Sequence, residues 1–486
     1  MWVDNNRLER WSKALETIAG GLLVLCAARV LIETPLRDWS ANHLAPAAAL
    51  LHGISLYHGP TEGVVMDMMY GPMSVFAYLP AAWIPSPTAA VVAAQLLAFA
   101  YYFVPVILFF RGLPKLALVT FALLSFHLNV LSGSACWVHA DAPALGLALA
   151  ACWFLEDSRR SDTARFWLSA VCVVLSVWTK QVTLPLFAAL PLYVAWREGH
   201  SKAFHYSAAL AATGLAIGFL FIKLFGGREL LFNLVTVPRL QPWILDKPAA
   251  VMKAGLELLI TSIVPLVLIF LFGMRSKDSS DASAPCWELP LWVGVMMIPT
   301  AVLGRVKIGG SYNALSFTVY FLCLSALMAL GKAAIRDARA KMLLCAWTMG
   351  LLLFLIPSTG LYFAALPFRV SRITHNPQRL VYEAVKKYPG QVYAPWGGLP
   401  TVMAEGTIYH FDYALWDRAL AGFPVSQAHL KAHLPAQMRW VIFPPQAQDQ
   451  KVMASLPEFS ERTEWPGYPE WTIYQRPTPQ KVVSQP

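Results

Sequence analysis

Long apolar segments alternate with short polar ones over the first three quarters of this chain. A transmembrane helix needs about 20 predominantly apolar residues, and ~17 is the lower limit. The pattern predicts about 11–12 transmembrane helices. The predicted spans are residues 13–33, 87–110, 115–131, 137–155, 165–180, 182–196, 205–224, 254–273, 288–304, 313–330 and 342–363. The fold class predicted for residues 1–365 is therefore an all-α polytopic membrane domain.

The pattern changes after residue 366, where proline, charged and polar residues become more frequent and apolar segments shorten. Three segments bounded by proline or glycine are typical of short strands, and two others are typical of helices. The strands are predicted at 391–395, 439–443 and 471–474, and the helices at 377–388 and 425–435. Residues 366–486 are therefore predicted to form a small α/β domain.

Composition supports a membrane protein and argues against nucleic-acid binding. Hydrophobic residues make up 57% of the 486 residues, charged residues only 14%, and the mean hydropathy is +0.50. A soluble globular protein has about 25% charged residues. The net charge of +10 comes from Lys and Arg in short loops, and no basic stripe with interleaved aromatic residues is present. The seven cysteines show no CxxC spacing, so they indicate neither a metal site nor a disulfide framework.

The positions of Lys and Arg predict which side of the membrane each loop faces. By the positive-inside rule, short loops rich in these residues face the cytoplasm. The loops assigned to the cytoplasm contain Arg7, Arg10, Lys13, Arg111, Lys115, Arg159, Arg160, Arg165, Arg197, Lys202, Arg275, Lys277, Lys332, Arg336, Arg339 and Lys341. This predicts a multi-pass protein of a bacterial inner (plasma) membrane, with a cytoplasmic N-terminus and an extracytoplasmic C-terminal domain. The first span has no clear cleavage signature after it and is interpreted as an uncleaved anchor.

Residues 71–84 decide this topology. The segment is apolar but short, and it contains Pro72 and Pro80. Counted as a span, it would invert the rest of the chain and place Arg111 outside. The charge pattern therefore predicts that it lies along the outer surface or re-enters, within a first external loop of residues 34–86. A loop of that length is unusual for a plain connector and suits a functional loop.

Four polar clusters fall on the outer side in this topology, each where an apolar segment begins or ends. They are Arg37-Asp38-Trp39, His139 with Asp141, Lys180-Gln181, and Arg305 with Lys307. Charged groups at membrane depth are costly and are a functional-site hypothesis by default, so four clusters on one face predict one active-site cleft. A transporter or flippase of lipid-linked sugars is the alternative. It should show inverted repeats and polar residues near the bilayer midplane, and the sequence shows neither.

Asp38 follows the end of the first predicted span. A carboxylate on the outer surface can accept a proton from an acceptor hydroxyl or help to hold a divalent cation. The alternative is a solvated loop acid paired with Arg37. Arg29 and Glu33 are spaced i,i+4 at the outer end of the first helix and are predicted to form a pair.

The sequence around Asp38 follows a recognisable order. Residues 48–57 are AALLHGISLY and end at Tyr57, and residues 70–73 are YGPM and begin at Tyr70. This order closely resembles the first external loop of bacterial GT-C membrane glycosyltransferases, the group that contains protein O-mannosyltransferases and lipid A aminoarabinose transferases. In that loop an acid follows the first span, a short helix ends in A-x-x-L-L-x-G-x-x-L-Y, and a Y-x-P-L segment comes later.

The resemblance implies a GT-C-like fold and a polyprenyl-phosphate-linked sugar as donor, with a lipid, glycan or protein as acceptor. It also implies that Asp38 is the general base and that Tyr57 and Tyr70 belong to the substrate-binding loop. Many members have two adjacent acids where this chain has Asp38-Trp39, which puts tight metal binding in doubt. A divalent cation held by Asp38 and Asp141 stays open as an interpretation, and no other cofactor is implied.

His139 and Asp141 stand at the start of the fourth predicted span. GT-C enzymes often have a second acidic motif in the corresponding loop, which favours Asp141 as a ligand for sugar hydroxyls or a cation, with His139 as its partner. The alternative is that Asp141 caps the helix, since Pro143 fits a first helical turn.

Lys180 and Gln181 close the fifth predicted span, before a very short turn. A lysine held near the membrane–water boundary is a suitable point charge for a lipid phosphate. The alternative is that Lys180 only extends its ammonium group to the interface. A lysine at this point, followed by a T-x-x-P-like turn, is also common in the resembled group.

Arg305, Lys307 and Asn313 lie in a glycine-rich loop before the tenth predicted span. Two cations and paired glycines just before a helix can hold an anion with side chains and backbone N–H groups. The spacing is not a Walker motif, so no nucleoside triphosphate is implied. Flexible glycines in a plain loop are the alternative. Similar G-G-x-x-N segments in GT-C relatives favour phosphate or pyrophosphate binding here.

Overall fold

The computed structural model describes residues 5–66, 68–157, 159–273, 286–445, 447, 450–465 and 468–477. Helices make up most of its first part. They are α1 (Asn5–Glu33), α2 (Asp38–Leu51), α3 (Met73–Phe76), α4 (Leu79–Ala82), α5 (Pro87–Phe109), α6 (Lys115–His127), α7 (Asn129–Ala135), α8 (Asp141–Glu156), α9 (Asp162–Thr179), α10 (Leu186–Glu198), α11 (His200–Phe225), α12 (Gly227–Leu231), α13 (Val237–Leu240), α14 (Lys247–Leu268), α15 (Glu288–Met296), α16 (Ile298–Arg305), α17 (Ser316–Ala334) and α18 (Ala338–Ala364). Short 3-10 turns precede α2, α10 and α17, and π-helical turns follow α12 and α14.

Six of the described helices are long and apolar enough to cross a membrane, which makes the chain an integral membrane protein. These segments are Asn6–Leu36, Pro87–Phe109, His200–Phe225, Lys247–Gly273, Tyr312–Ala334 and Ala338–Ala364. The other predicted spans coincide with shorter helices, α6 to α10 and the pair α15 and α16. The predicted polytopic helical fold is confirmed. The predicted cytoplasmic loop with Arg275 and Lys277 lies outside the described residues.

One predicted span, residues 115–131, is wrong as a single straight helix. Helices α6 and α7 meet at an angle of 94°. Leu128 between them has an extended backbone (φ −76°, ψ 119°), so the helical hydrogen-bond ladder stops there. The turn brings α7 alongside the 3-10 turn at residues 312–315, where Ser134 donates a hydrogen bond to Ser316.

Residues 71–84 form only the two four-residue helices α3 and α4. At 1.5 Å rise per residue, each is about 6 Å long, far short of the ~30 Å hydrocarbon core. Gly71 explains how the segment is held, because a Cβ there would lie 1.9 Å from the carbonyl oxygen of Trp178 near the end of α9. Only glycine permits that approach, and it places the neighbouring Tyr70 beside α9.

Helix α17 lies at the centre of the helical domain, and its most apolar 18-residue stretch is entirely buried. It packs against α14, α15 and α18, while α1 packs against α18 and α6. Tyr320 on α17 donates a hydrogen bond to the carbonyl of Tyr102 on α5. The predicted local pair on α1 is confirmed, since Arg29 Nε lies 3.3 Å from Glu33 Oε1.

The C-terminal part has the predicted α/β composition. Its described elements are α19 (Val370–Thr374), α20 (Pro377–Lys387), α21 (Gly398–Glu405), α22 (Asp412–Leu420), α23 (Gln427–Ala432), β1 (Val392–Tyr393), β2 (Trp440–Phe443), β3 (Glu461–Trp465) and β4 (Tyr468–Gln475). The sheet order is β1-β2-β4-β3, with β1 and β2 parallel and the other pairs antiparallel. All three predicted strands and both predicted helices are present. Helices α19, α21 and α22 and strand β3 were not predicted.

The C-terminal part packs against helix α2 of the first loop. This helix packs against α21, and the Gly398 amide donates to Asn42 Oδ1 over 3.2 Å. Helix α20 reaches the same region from the other side and packs against α5. Helix α2 therefore packs against α5 on one hand and against α20 and α21 of the C-terminal part on the other, which sets the position of Asp38.

Candidate active site

All four polar clusters contribute residues to one cleft, with a volume of about 1160 Å³. Its walls come from the start of α2, the turn before α8, the end of α9, the loop before α17 and the C-terminal domain. The lining residues used below are Arg37, Asp38, Trp39, Tyr70, His139, Lys180, Gln181, Lys307, Asn313, Trp396, Tyr413, Trp416 and Asp417. The structure thus brings together segments that are far apart in the sequence, and it does so at one end of the helical domain.

Asp38 is the first residue of α2 and is only 6% exposed. Its Oδ1 accepts a hydrogen bond from Gln378 Nε2 over 3.1 Å. Its Oδ2 is buried and has no hydrogen-bond partner among the described residues. Burial raises the pKa of Asp38 to about 7, and the bond from Gln378 opposes the rise. One oxygen of this carboxyl group is therefore held by Gln378, and the other has no bond from the described residues, on a residue that lines the cleft.

Arg37 does not pair with Asp38, so the alternative of a surface ion pair is wrong. One guanidinium nitrogen donates to Glu33 Oε2 over 2.9 Å, and another donates to the carbonyl of Cys136 over 2.6 Å. The group also lies 4.8 Å from the ring centre of Trp137. These contacts tie α1 to the turn before α8, and within the described part of the chain no cation pairs with the Asp38 carboxyl group.

Asp141 lies at the centre of a saturated polar cluster. It is fully buried, and its carboxylate accepts hydrogen bonds from Lys180, from His139 Nδ1 (3.0 Å) and from Asn313 Nδ2 (2.5 Å). The helix-capping alternative is wrong, because Ala140 is the N-cap of α8 and no side chain caps this end. Asp141 does not line the cleft. It is placed to hold three residues that do.

Lys180 lies at the C-cap of α9 and forms an ion pair with Asp141. Its ammonium nitrogen is also 5.2 Å from the ring centre of Tyr70. An ammonium group has three donors, so the bond to Asp141 leaves capacity for an anion in the cleft. The interpretation that Lys180 only reaches for the interface is not supported, because its side chain is 13% exposed.

Gln181 and Tyr57 both hold neighbouring loops, and Gln181 also lines the cleft. Gln181 Nε2 donates to the carbonyls of Met69 (2.7 Å) and Leu234 (3.0 Å). Tyr57 is buried outside the cleft, and its hydroxyl donates to the carbonyl of Tyr70 over 2.6 Å. Tyr70 itself lines the cleft, with its ring edge against His139 at 5.0 Å between centres.

The two predicted phosphate-binding cations have different surroundings. Arg305 is buried outside the cleft and forms a two-pronged pair with Glu257, at 2.7 and 3.0 Å. The expectation that Arg305 faces the ligand is therefore corrected. Lys307 does line the cleft, and its ammonium group donates to the carbonyls of Arg239 (2.9 Å) and Gln241 (2.7 Å). One of its three donors remains for an anion.

The C-terminal domain contributes a wall of the cleft that the sequence did not predict. Trp396, Tyr413, Trp416 and Asp417 line it. Tyr413 lies between Trp39 and Trp396, with ring centres 4.9 and 5.2 Å away. No local spacing links these residues to Trp39. The concentration of tryptophan and tyrosine between residues 393 and 416 was the available signal.

The residues present do not fit a divalent cation shared by Asp38 and Asp141. Both oxygens of Asp141 accept bonds from Lys180, His139 and Asn313. A metal ion there would have to displace the Lys180 ammonium group and approach its positive charge. Asp38 offers one unbonded oxygen, and hard cations need about six oxygen ligands.

No family model and no curated protein sequence matches the chain. Two solved structures of ArnT from Cupriavidus metallidurans do match in fold. The apo structure superposes with a TM-score of 0.52 at 14% identity, covering 94% of this chain and 98% of ArnT. The structure bound to undecaprenyl phosphate gives 0.54 at 12% identity, covering 93% and 97%. This chain therefore shares the fold of ArnT over almost the whole length of both chains, which agrees with the fold predicted from the first external loop.

Proposed function

We propose that this chain is a membrane glycosyltransferase that moves a hexosyl or pentosyl residue from a polyprenyl-phosphate donor to an acceptor hydroxyl. The observation that carries the proposal is the buried carboxyl group of Asp38, which lines a cleft together with two lysines. One of its oxygens is held by Gln378, and the other has no hydrogen-bond partner among the described residues. The shared fold with ArnT, crystallised with undecaprenyl phosphate, supports the same donor class.

Asp38 acts as the general base in this proposal. A base is most effective when its pKa lies near the working pH, and burial raises the pKa of Asp38 to about 7. The Oδ2 atom takes the proton of the acceptor hydroxyl. The bond from Gln378 to Oδ1 keeps the carboxyl group in one orientation and stabilises its ionised form.

Lys180 and Lys307 bind the donor phosphate in this proposal. Both line the cleft, and each keeps at least one N–H beyond its bonds to the protein. Fixed cations aimed at the leaving group stabilise the negative charge that grows on it. Asp141 serves as a positioning residue, because it fixes the Lys180 ammonium group in the cleft wall.

The reaction is a single displacement with inversion at the anomeric carbon. The acceptor oxygen forms a bond to that carbon as its proton passes to Asp38. The bond from the anomeric carbon to the phosphate oxygen breaks, and polyprenyl phosphate leaves with the electron pair. Every step uses groups of this chain, donor and acceptor, so the transfer balances without a redox partner.

The cleft is proposed to open on the extracytoplasmic face, which follows from the positive-inside assignment of the loops. Donors of the polyprenyl-phosphate class suit that face, because nucleotide sugars are confined to the cytoplasm. The acceptor is a lipid, a glycan or a protein. The N-terminus is then cytoplasmic and the C-terminal domain extracytoplasmic.

The test compares Asp38→Asn with wild type and with Glu62→Gln, an exposed acid of the same loop. Each is expressed in bacterial membranes that supply native acceptors, and radiolabelled polyprenyl-phosphate hexoses and pentoses are added. Loss of a general base costs about 10²–10⁴ in rate. We expect Asp38→Asn to lose transfer by that factor while Glu62→Gln keeps it. Near wild-type turnover by a well-expressed Asp38→Asn would exclude the assignment.

A further inference from the structure

A group of three histidines lies outside the cleft, where the C-terminal domain meets the first loop. One ring nitrogen of each of His410, His429 and His433 lies within 4.8 Å of those of the other two. Ring centres are 5.5 Å apart for His410 with either partner and 5.1 Å apart for His429 with His433. None of the three lines the cleft, so the proposed transfer reaction does not account for them.

The local structure places the histidines for a common ligand. His429 and His433 are spaced i,i+4 along α23 and its C-cap, which puts both rings on one face. The same spacing on a helix supplies two zinc ligands in H-E-x-x-H proteins. His410 stands just before α22 and is fully buried, so it closes the group from the domain interior.

The hydrogen bonds of His429 and His433 leave one lone pair on each ring. His429 Nε2 lies 2.7 Å from the carbonyl oxygen of Gly63, and His433 Nδ1 lies 3.2 Å from that of His429. A carbonyl can only accept, so both nitrogens carry the proton. The other nitrogens, His429 Nδ1 and His433 Nε2, are then free to bind. Metal-binding histidines almost always donate their second N–H to a carbonyl or carboxylate in this way.

His410 has different hydrogen bonds from the other two histidines. Its Nδ1 accepts the backbone N–H of Val65 over 3.0 Å, and its Nε2 is buried without a hydrogen-bond partner among the described residues. The bond from Val65 puts the ring proton on Nε2 in the metal-free chain. Ligation through Nε2 requires that proton to move to Nδ1, which gives up the Val65 bond. The third ligand therefore gives up this hydrogen bond and requires the Val65 N–H to move away from the protonated Nδ1. In return, the buried Nε2 gains a partner.

We propose that His410, His429 and His433 bind one first-row divalent metal ion of the Zn²⁺ class. Three neutral imidazoles suit Zn²⁺, which takes four tetrahedral ligands and accepts water as the fourth. Mg²⁺ and Ca²⁺ prefer oxygen ligands and are not selected by three ring nitrogens.

The three histidines lie at a contact between the C-terminal domain and the first loop, and both of these regions line the cleft. Gly63 and Val65 belong to the loop segment that leads to Tyr70, and the histidines belong to the domain that carries the Tyr413 wall. Gly63 has φ +62°, and a Cβ there would lie 2.2 Å from His58 Nδ1. Only glycine therefore fits where the carbonyl is offered to His429. A metal bound at the histidines would fix the His429 ring that donates to the Gly63 carbonyl, while the His410 bond to Val65 is given up.

The test uses the full-length chain in detergent, purified without a polyhistidine tag and freed of metal with a chelator. Zn²⁺ is titrated while bound metal and the thermal midpoint are measured. We expect one Zn²⁺ per chain and a rise in the midpoint, since an ion that binds only the folded state stabilises it. His429→Gln and His433→Gln should each lower the affinity at least ~100-fold, beyond the 10–100-fold of a second-shell change.

His52→Gln is the matched control, because His52 is an exposed histidine of the first loop at the C-cap of α2. It should bind Zn²⁺ as wild type does. Equal binding by wild type and by a His429→Gln, His433→Gln double variant would overturn the proposal. If a variant does not fold, Co²⁺ replaces Zn²⁺ in wild type. Intense visible absorption of a tetrahedral site supports the proposal, and only the pale spectrum of octahedral Co²⁺ contradicts it.

Discussion

Asp38 and Asp141 are two buried carboxyl groups close to the same cleft, and they differ in how their oxygens are used. Asp141 is saturated by Lys180, His139 and Asn313. Asp38 accepts one bond, from Gln378, and keeps a buried oxygen without a partner among the described residues. Satisfied buried networks hold structure, whereas a buried polar atom left unpaired costs free energy and needs another reason to be there.

This difference assigns separate roles to the two acids. Asp141 is unsuited to take a proton or hold a cation, because three donors already occupy it. Asp38 is poorly placed to stabilise the fold, because burial disfavours its charged form. We therefore expect a substitution of Asp141 to lower the stability of the fold and a substitution of Asp38 to lower the rate of transfer.

The largest effect on folding is expected from Asp141→Asn. Removing one charge of a buried pair leaves the other uncompensated and costs about 3–5 kcal/mol. The Lys180 ammonium group would be the charge left behind. The midpoint of thermal or denaturant unfolding in detergent measures the loss.

The double variant Asp141→Asn, Lys180→Gln provides the control for this prediction. It removes both charges, so it should recover part of the stability that Asp141→Asn loses, in a double-mutant cycle. If Asp141→Asn unfolds at the same midpoint as wild type, then the saturated cluster does not hold the fold and the contrast with Asp38 fails.

Asp38→Asn should have the opposite sign on stability. The folded-state pKa of about 7 lies above the ordinary value of 3.8. Ionisation of Asp38 therefore destabilises the folded state. The penalty is absent below pH ~4 and complete above pH ~7, where it is at most about 4 kcal/mol. Asparagine carries no charge and can still accept the bond from Gln378. We expect a higher thermal midpoint than wild type at pH 8 and a smaller gain at pH 5.

The same thermal midpoints contradict the role assigned to Asp38 if the stability gained by Asp38→Asn does not increase with pH. A lower midpoint for Asp38→Asn at pH 8 would mean that the ionised carboxylate stabilises the fold, as Asp141 does. The two acids would then have the same role.

How far the sequence predicted this site depends on the distance between partners along the chain. The Arg29–Glu33 pair was predicted because i,i+4 residues on a helix are neighbours. The position of Asp38 was predicted because its loop motif is local. The partners of Asp141 were not, since Lys180 comes from the end of α9 and Asn313 from the 3-10 turn before α17.

The error at Arg305 has the same physical origin. The loop between α16 and α17 was correctly recognised as cationic and glycine-rich, but the pairing of Arg305 with Glu257 on α14 has no local signal. Lys307, two residues further along, does not pair with Glu257 and lines the cleft. Gln378 was missed for the same reason, because only the docking of the C-terminal domain on α2 brings it to Asp38.

A medium effect is expected from Lys307→Gln, which removes a cation from the cleft without leaving a buried charge unpaired. We expect the apparent KM for the polyprenyl-phosphate donor to rise about tenfold, or about 1.4 kcal/mol, with the thermal midpoint little changed. Lys253→Gln, an exposed lysine on α14, is the matched control. An unchanged KM would remove Lys307 from the phosphate site and leave Lys180 as the cation there.

The smallest effect is expected from Gln378→Leu. This variant tests directly whether the single hydrogen bond to the Asp38 carboxyl group controls its protonation. The bond from Gln378 Nε2 lowers the pKa of Asp38 by favouring its ionised form. Its loss should raise that pKa further, so the pH–rate profile of kcat/KM should move to higher pH by up to about one unit. Activity at pH 9 should then approach wild type while activity at pH 7 falls. An equal loss at every pH would show that Gln378 only positions the C-terminal domain on α2.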